Sequence, residues 1–157
     1  MKKLALFATL LLVISNCFAQ QDTAKLKRHT VYVEIGGVTM FGASFNYEYT
    51  VLHKGILRIN TGIGIASTGV FFAEIPSHGV AALPSVKTLI GKGCHFAEVG
   101  WSQLVPNQLA FYTIQGFNLG YRYESKNGHF ISKVVFNLGA TEDLYHPWIG
   151  ISLGTKF

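Results

Sequence analysis

Charge is scarce in this sequence. Asp, Glu, Lys and Arg make up 13% of its 157 residues, about half the ~25% of ordinary soluble domains. Cysteine is scarcer. Cys17 lies in an N-terminal apolar segment and only Cys94 follows it, so the mature chain is expected to hold no internal disulfide, and Cys94 reads as a bystander. Metal-ligand spacing is missing too. His95 and His129 fall on different hairpins, with no i, i+2 pair and no Cys–His cluster, so neither a metal nor a cofactor is expected. After residue 20 no apolar run approaches the ~20 residues of a membrane-spanning helix. No repeat, linker or low-complexity segment is found.

The first residues, MKKLALFATLLLVISNCFAQ, have the three parts of an export signal. Lys2 and Lys3 form a basic start, Leu4 to Ile14 an apolar stretch, and Cys17-Phe18-Ala19 a small-residue cleavage site before Gln20. A cleaved signal peptide over 1–19 is therefore expected. Asn16 is a poor neighbour for lipidation of Cys17, and the apolar stretch is too short for an anchor helix. Without Lys2 and Lys3 the net charge is +3 (11 − 8), too weak and too scattered to suggest nucleic-acid binding. Residues 20–28, QQDTAKLKR, read as a periplasmic lead-in, and 29–157 as one domain.

That domain is a succession of alternating segments separated by turn signals. Eight are predicted: 29–39, 43–52, 56–67, 80–91, 94–105, 108–124, 129–139 and 147–157. The connections at 53–55, 92–93 and 125–128 are tight and carry Lys54, Lys92 and Lys126. Those at 68–79 and 140–146 are longer and carry Glu74, Glu142 and Asp143. Short turns at one end and long loops at the other are the pattern of an eight-stranded, up-and-down, antiparallel transmembrane β-barrel. The connection at 40–42 breaks it, being short where a loop belongs.

Alternation divides each strand into two faces. One carries Val33 and Ile35, Phe45 and Tyr47, Ile63 and Ile65, Phe117 and Leu119, Val134 and Phe136, and Ile151 and Leu153, with no charged residue. The other carries Glu34, Glu48, Arg58, Lys87, Glu98, Arg122 and Lys133 among Gly, Ser and Asn. Parity alone admits two barrels: a soluble lipocalin-like one with an apolar ligand cavity, or a membrane barrel with a polar interior. Small residues and opposed charges suit a narrow lumen better than a water-facing surface, which carries charge densely. Tyr49, Tyr121 and Tyr123, near strand ends, suit an aromatic girdle. The seven charged residues are then expected to form an interior ion-pair network.

The runs LPSVKTLIGKGCHFAEVG (83–100), FNLGYRYESKNGHFISKVVF (117–136) and PWIGISLGTKF (147–157) resemble a family of small outer-membrane β-barrel proteins from Bacteroidetes. Thr155 stands where that family usually has an aromatic, and His129 where it often has Gly. The resemblance implies an outer-membrane location in a Gram-negative envelope and the barrel fold, but no activity. By likeness to outer-membrane proteins generally, Ile151, Leu153 and Phe157 would form the signal read by the barrel-assembly machinery. The same strand must close the barrel, because an open edge in lipid leaves backbone groups unsatisfied.

The expected role is structural or binding at the envelope, without catalysis, as a monomer with a mostly plugged lumen and outer-membrane lipid as its partner. The principal alternative is a lipid A-modifying hydrolase or acyltransferase using Ser77, His78 and His146, with Glu74 or Glu142 as orienting acids. The loop 68–79, with Val70, Phe71 and Phe72, is expected to cap the barrel mouth.

Overall fold

A computed structural model describes residues 27–39, 42–68, 79–106, 114–127, 129–140 and 145–157. The expected signal peptide, most of the lead-in and the greater part of the loop 68–79 lie outside these residues. The strands are β1 (His29–Gly36), β2 (Ala43–Lys54), β3 (Leu57–Thr68), β4 (Gly79–Ala82), β5 (Ser85–Lys92), β6 (His95–Pro106), β7 (Ile114–Glu124), β8 (Phe130–Ala140) and β9 (Tyr145–Lys156).

Nine strands make eight staves, because β4 and β5 are one stave interrupted at Leu83-Pro84. Ile65 pairs with Ala82 and Gly62 with Ser85, the same register on either side of the break. Within it, Leu83 and Gly64 exchange backbone hydrogen bonds of 2.8 and 3.0 Å. Proline has no N–H to give to the ladder, which is why regular pairing lapses there.

Each stave pairs antiparallel with the next, and β9 pairs with β1 from Gly36↔Gly150 to Thr30↔Lys156. The sheet therefore closes into an eight-stranded antiparallel β-barrel, with no free edge among the described strands. The last residue takes part in the closure: Phe157 N–H donates to His29 O (2.8 Å), and His29 N–H donates to Phe157 O (3.0 Å). Ile151 and Leu153, the other two residues of the expected assembly signal, stand exposed on the outer face of β9.

Sidedness follows the two-residue period. Val33, Ile35, Phe45, Ile63, Ile65, Phe117, Leu119, Val134, Phe136 and Ile151 are exposed on the outside, while Glu34, Glu48, Lys87, Glu98, Arg122 and Lys133 are buried inside. This is the reverse of what a lipocalin-like ligand cavity needs.

Several boundaries differ from the sequence reading. The second strand runs on through His53 and Lys54, which were expected in the turn 53–55 and instead pair with Arg58 and Leu57. The first strand stops at Gly36, not at residue 39, because Gly36 and Gly37 adopt positive φ (77° and 68°), a conformation costly for residues with a Cβ. The chain then turns into the barrel mouth as a short 3-10 turn, Gly37–Thr39, all three residues buried. Of the short 40–42 connection, residues 40 and 41 lie outside the described residues. The closing strand begins at Tyr145 instead of 147, and His146, expected in a loop, belongs to β9 and pairs with Gly139 of β8.

Candidate functional site: the charged lumen

The lumen is built from one residue in two along each stave, and the sequence places ionisable groups on all eight. Glu34 comes from β1, Glu48 from β2, Arg58 from β3, Lys87 from β5, Glu98 from β6, Arg122 and Glu124 from β7, Lys133 from β8 and Lys156 from β9. Four carboxylates thus share the interior with five cations. An isolated buried charge costs several kcal/mol, so such groups persist only when paired.

Glu48 is the hub. Its Oε2 accepts from Arg122 Nη1 at 2.8 Å and from Asn60 Nδ2 at 3.2 Å. Its Oε1 accepts from Lys87 Nζ at 2.7 Å and from the Tyr32 hydroxyl at 2.8 Å. Lys87 also donates to the Tyr32 hydroxyl. The Tyr32 ring offers its face to the second lysine, with Lys133 Nζ 3.9 Å from the ring centroid, a geometry in which the ring quadrupole attracts the cation.

Glu98 is the second acceptor. Lys133 Nζ lies 3.2 Å from its Oε1, and Arg122 Nη1 lies 3.7 Å from its Oε2. Glu34, near the mouth, accepts from Ser152 Oγ at 2.8 Å and has Lys133 at 3.8 Å. Towards the short-turn end, Glu124 meets Arg58 at 2.8 Å and Lys156 at 3.2 Å. Arg122 Nε is 3.1 Å from Glu124 Oε1. That pair attracts by charge but is misaligned for a hydrogen bond. Arg58 also lies over Phe96, 4.4 Å from the ring centroid.

At the loop end the chemistry changes. Val38, at the tip of the inward turn, packs with Ala66, Ala81, Leu83 and Leu104, and Ile114 flanks this small apolar cluster. Thr39 Oγ1 donates to Gly36 O (2.7 Å) and Gly42 N–H donates to Thr39 O (3.1 Å), holding the turn shut on itself. The lumen is therefore crossed twice, once by an apolar lid and once by an ionic layer. An eight-stranded barrel is just wide enough for its side chains to fill it.

All seven predicted interior residues share the lumen: Glu34, Glu48, Lys87, Glu98, Arg122 and Lys133 are buried, and Arg58 is partly so. Three further members were missed. Glu124 and Lys156 have the inward parity of their strands but were not counted in the network, since they sit at strand ends, far in sequence from their partners. Tyr32 has the parity of Glu34, yet a tyrosine in an alternating strand suits either face.

Among the candidates for lipid chemistry, Glu74, Ser77, His78 and Glu142 lie outside the described residues. Among the described residues no group of three or more His, Cys, Asp or Glu side chains is placed to hold a metal ion. No protein-family model matches the chain, and neither the curated proteins nor the solved structures return a match.

Proposed function

We propose that this protein is an outer-membrane β-barrel with a closed lumen and a structural or binding role at the cell envelope. The observation that carries the reading is the inverted partition of the molecule: aliphatic and aromatic side chains encircle the outside, and every described acidic side chain lies within. Soluble monomers rarely expose contiguous apolar patches beyond a few hundred Å². A 12-residue strand such as β3 is about 40 Å long. Tilted by ~40°, it spans about 30 Å, enough for the ~25 Å apolar band of a bacterial barrel. Closure through β9 and β1 satisfies the backbone in lipid.

On this reading the ionic layer fixes the barrel and fills it, and neither conduction nor catalysis is assigned to it. The terminal strand is the element delivered to the barrel-assembly machinery, the mature chain is a monomer, and the Bacteroidetes barrel family is its proposed kin. Cell fractionation with gel analysis of boiled and unboiled samples tests the reading. An outer-membrane band that migrates faster unboiled supports it. A soluble periplasmic band with unchanged mobility overturns it.

A further inference from the structure

Each of the three tight turns at the short-turn end of the barrel carries a lysine. Eight staves leave four junctions at that end: β2–β3, β5–β6, β7–β8 and the β9–β1 seam. Lys54, Lys92 and Lys126 stand at the first three, and Lys27 precedes β1 at the fourth. The three turn lysines are exposed, and none of them has an ion-pair partner among the described residues. The four described acids are all committed to the lumen.

The position of Lys54 is specifically arranged. Ser44, Asn46, Glu48 and Thr50, the even-numbered residues of β2, are buried in the lumen, and unbroken alternation would send Lys54 there as well. A register shift between Thr50 and Leu52 intervenes, after which Lys54 pairs with Leu57 and His53 with Arg58. A bulge re-aims the residues beyond it. This one sends Lys54 to the outer face and turns His53 towards the lumen. Lys92 reaches the same face without a bulge, in phase with exposed Val86 and Ile90 and paired with exposed His95.

Just above this ring the outer face is amphipathic. His29 Nδ1 and Tyr47 Oη lie 2.7 Å apart, and the His29 ring stacks on Phe157 at 5.6 Å. His95 Nδ1 and Tyr121 Oη lie 2.5 Å apart. From mid-barrel outward the surface thus passes from aliphatic to Tyr and His and then to lysine. Acyl chains, ester region and phosphate follow the same order in a phospholipid leaflet.

We infer that the short-turn rim is a docking ring for anionic phospholipid headgroups, with Lys54, Lys92 and Lys126 each meeting a phosphodiester. The inference rests on the membrane-barrel reading above. A lysine near an anionic bilayer surface contributes about a five-fold preference.

The test reconstitutes the refolded chain in vesicles of phosphatidylcholine containing phosphatidylglycerol. It compares the association of spin-labelled phosphatidylglycerol and phosphatidylcholine with the barrel, and heat-modifiable migration reports folding in every sample. The expected result is a preference of about five-fold for phosphatidylglycerol, abolished in 1 M salt, where the Debye length is ~3 Å. A triple K54Q/K92Q/K126Q variant falls to parity, and the triple arginine variant keeps the preference. A folded barrel without preference, or one whose preference survives the glutamine substitutions, overturns the inference and leaves the membrane reading standing. Absence of a heat-modifiable band in any vesicle overturns the membrane reading and this inference together.

Discussion

Arg122 and Glu48, 74 positions apart in the chain and on diametrically opposite staves, meet at 2.8 Å inside the barrel. Both side chains are almost wholly enclosed, with 0% and 1% of their surface exposed. A contact of this kind ties one wall of the lumen to the other. It does so without any continuous element between them, which hairpin pairing alone cannot do.

Removing one partner of such a pair leaves the others uncompensated. Glu48→Gln leaves Arg122, Lys87 and Lys133 with one carboxylate fewer, and a loss of about 3–5 kcal/mol is expected. Urea unfolding of the refolded barrel, followed by the heat-modifiable band, measures it. Replacing both members, as Glu48→Leu with Arg122→Met, should recover part of that loss, since apolar replacement of a whole buried pair is often near neutral. A wild-type midpoint for Glu48→Gln would mean that the ionic layer does not hold the barrel together.

Gly154 faces Tyr32 across the β1–β9 seam. A Cβ there would lie 2.4 Å from Tyr32 Cβ and 2.1 Å from the backbone oxygen of Val31. The glycine thus makes room for the tyrosine that meets Lys87, Lys133 and Glu48 together. Gly154→Ala must open the closing seam or push Tyr32 aside, at a cost of about 1–3 kcal/mol. By contrast, a Cβ on Gly55 meets nothing within 4 Å. Its positive φ of 59° limits the penalty of Gly55→Ala to the ~1 kcal/mol scale of backbone strain. Unfolding midpoints of the two variants, measured side by side, should rank in that order.

Strict alternation made the barrel legible, because period two sorts every residue of a regular strand between two faces. It therefore located Glu34, Glu48, Lys87, Glu98, Arg122 and Lys133 on one face before any pairing was known. Alternation fails where regularity fails. The bulge at Thr50/Leu52 reverses the phase of the last residues of β2, and no local signal in YEYTVLHK announces it. The inward turn at Gly37–Thr39 was hidden for a related reason: VTMFG continues the apolar pattern of a strand, and only the paired glycines before it mark the stop. Which cation meets which carboxylate depends on stave order and depth, and that is set by the register around the whole barrel, not by any one segment.

Phe157 separates stability from assembly. Deleting it removes two backbone hydrogen bonds to His29, worth about 1–3 kcal/mol together, and the stacking of the two rings. Refolding into detergent or lipid should therefore persist with a modestly lowered midpoint. In cells, a larger loss of the outer-membrane band than this change in stability accounts for is expected if the terminal aromatic is also the assembly signal. Equal losses in both settings would assign Phe157 to closure alone.

Val38 seals the loop end, and Glu48 with its partners crosses the lumen below it, so the two layers make different predictions for conduction. Val38→Asp puts a carboxylate among Ala66, Ala81, Leu83 and Leu104, where no described cation is paired with it, and the inward turn should swing out of the mouth. The amides of Gly36 and Gly42, which bond to Gly42 O and Thr39 O, should then exchange with solvent far faster than those of the paired strands. Planar-bilayer current through the variant should nevertheless stay at the wild-type baseline, because Arg122 and Glu48 still span the lumen at 2.8 Å. A steady current from Val38→Asp alone would show that the apolar lid is the seal and that the ionic layer beneath it lets ions pass.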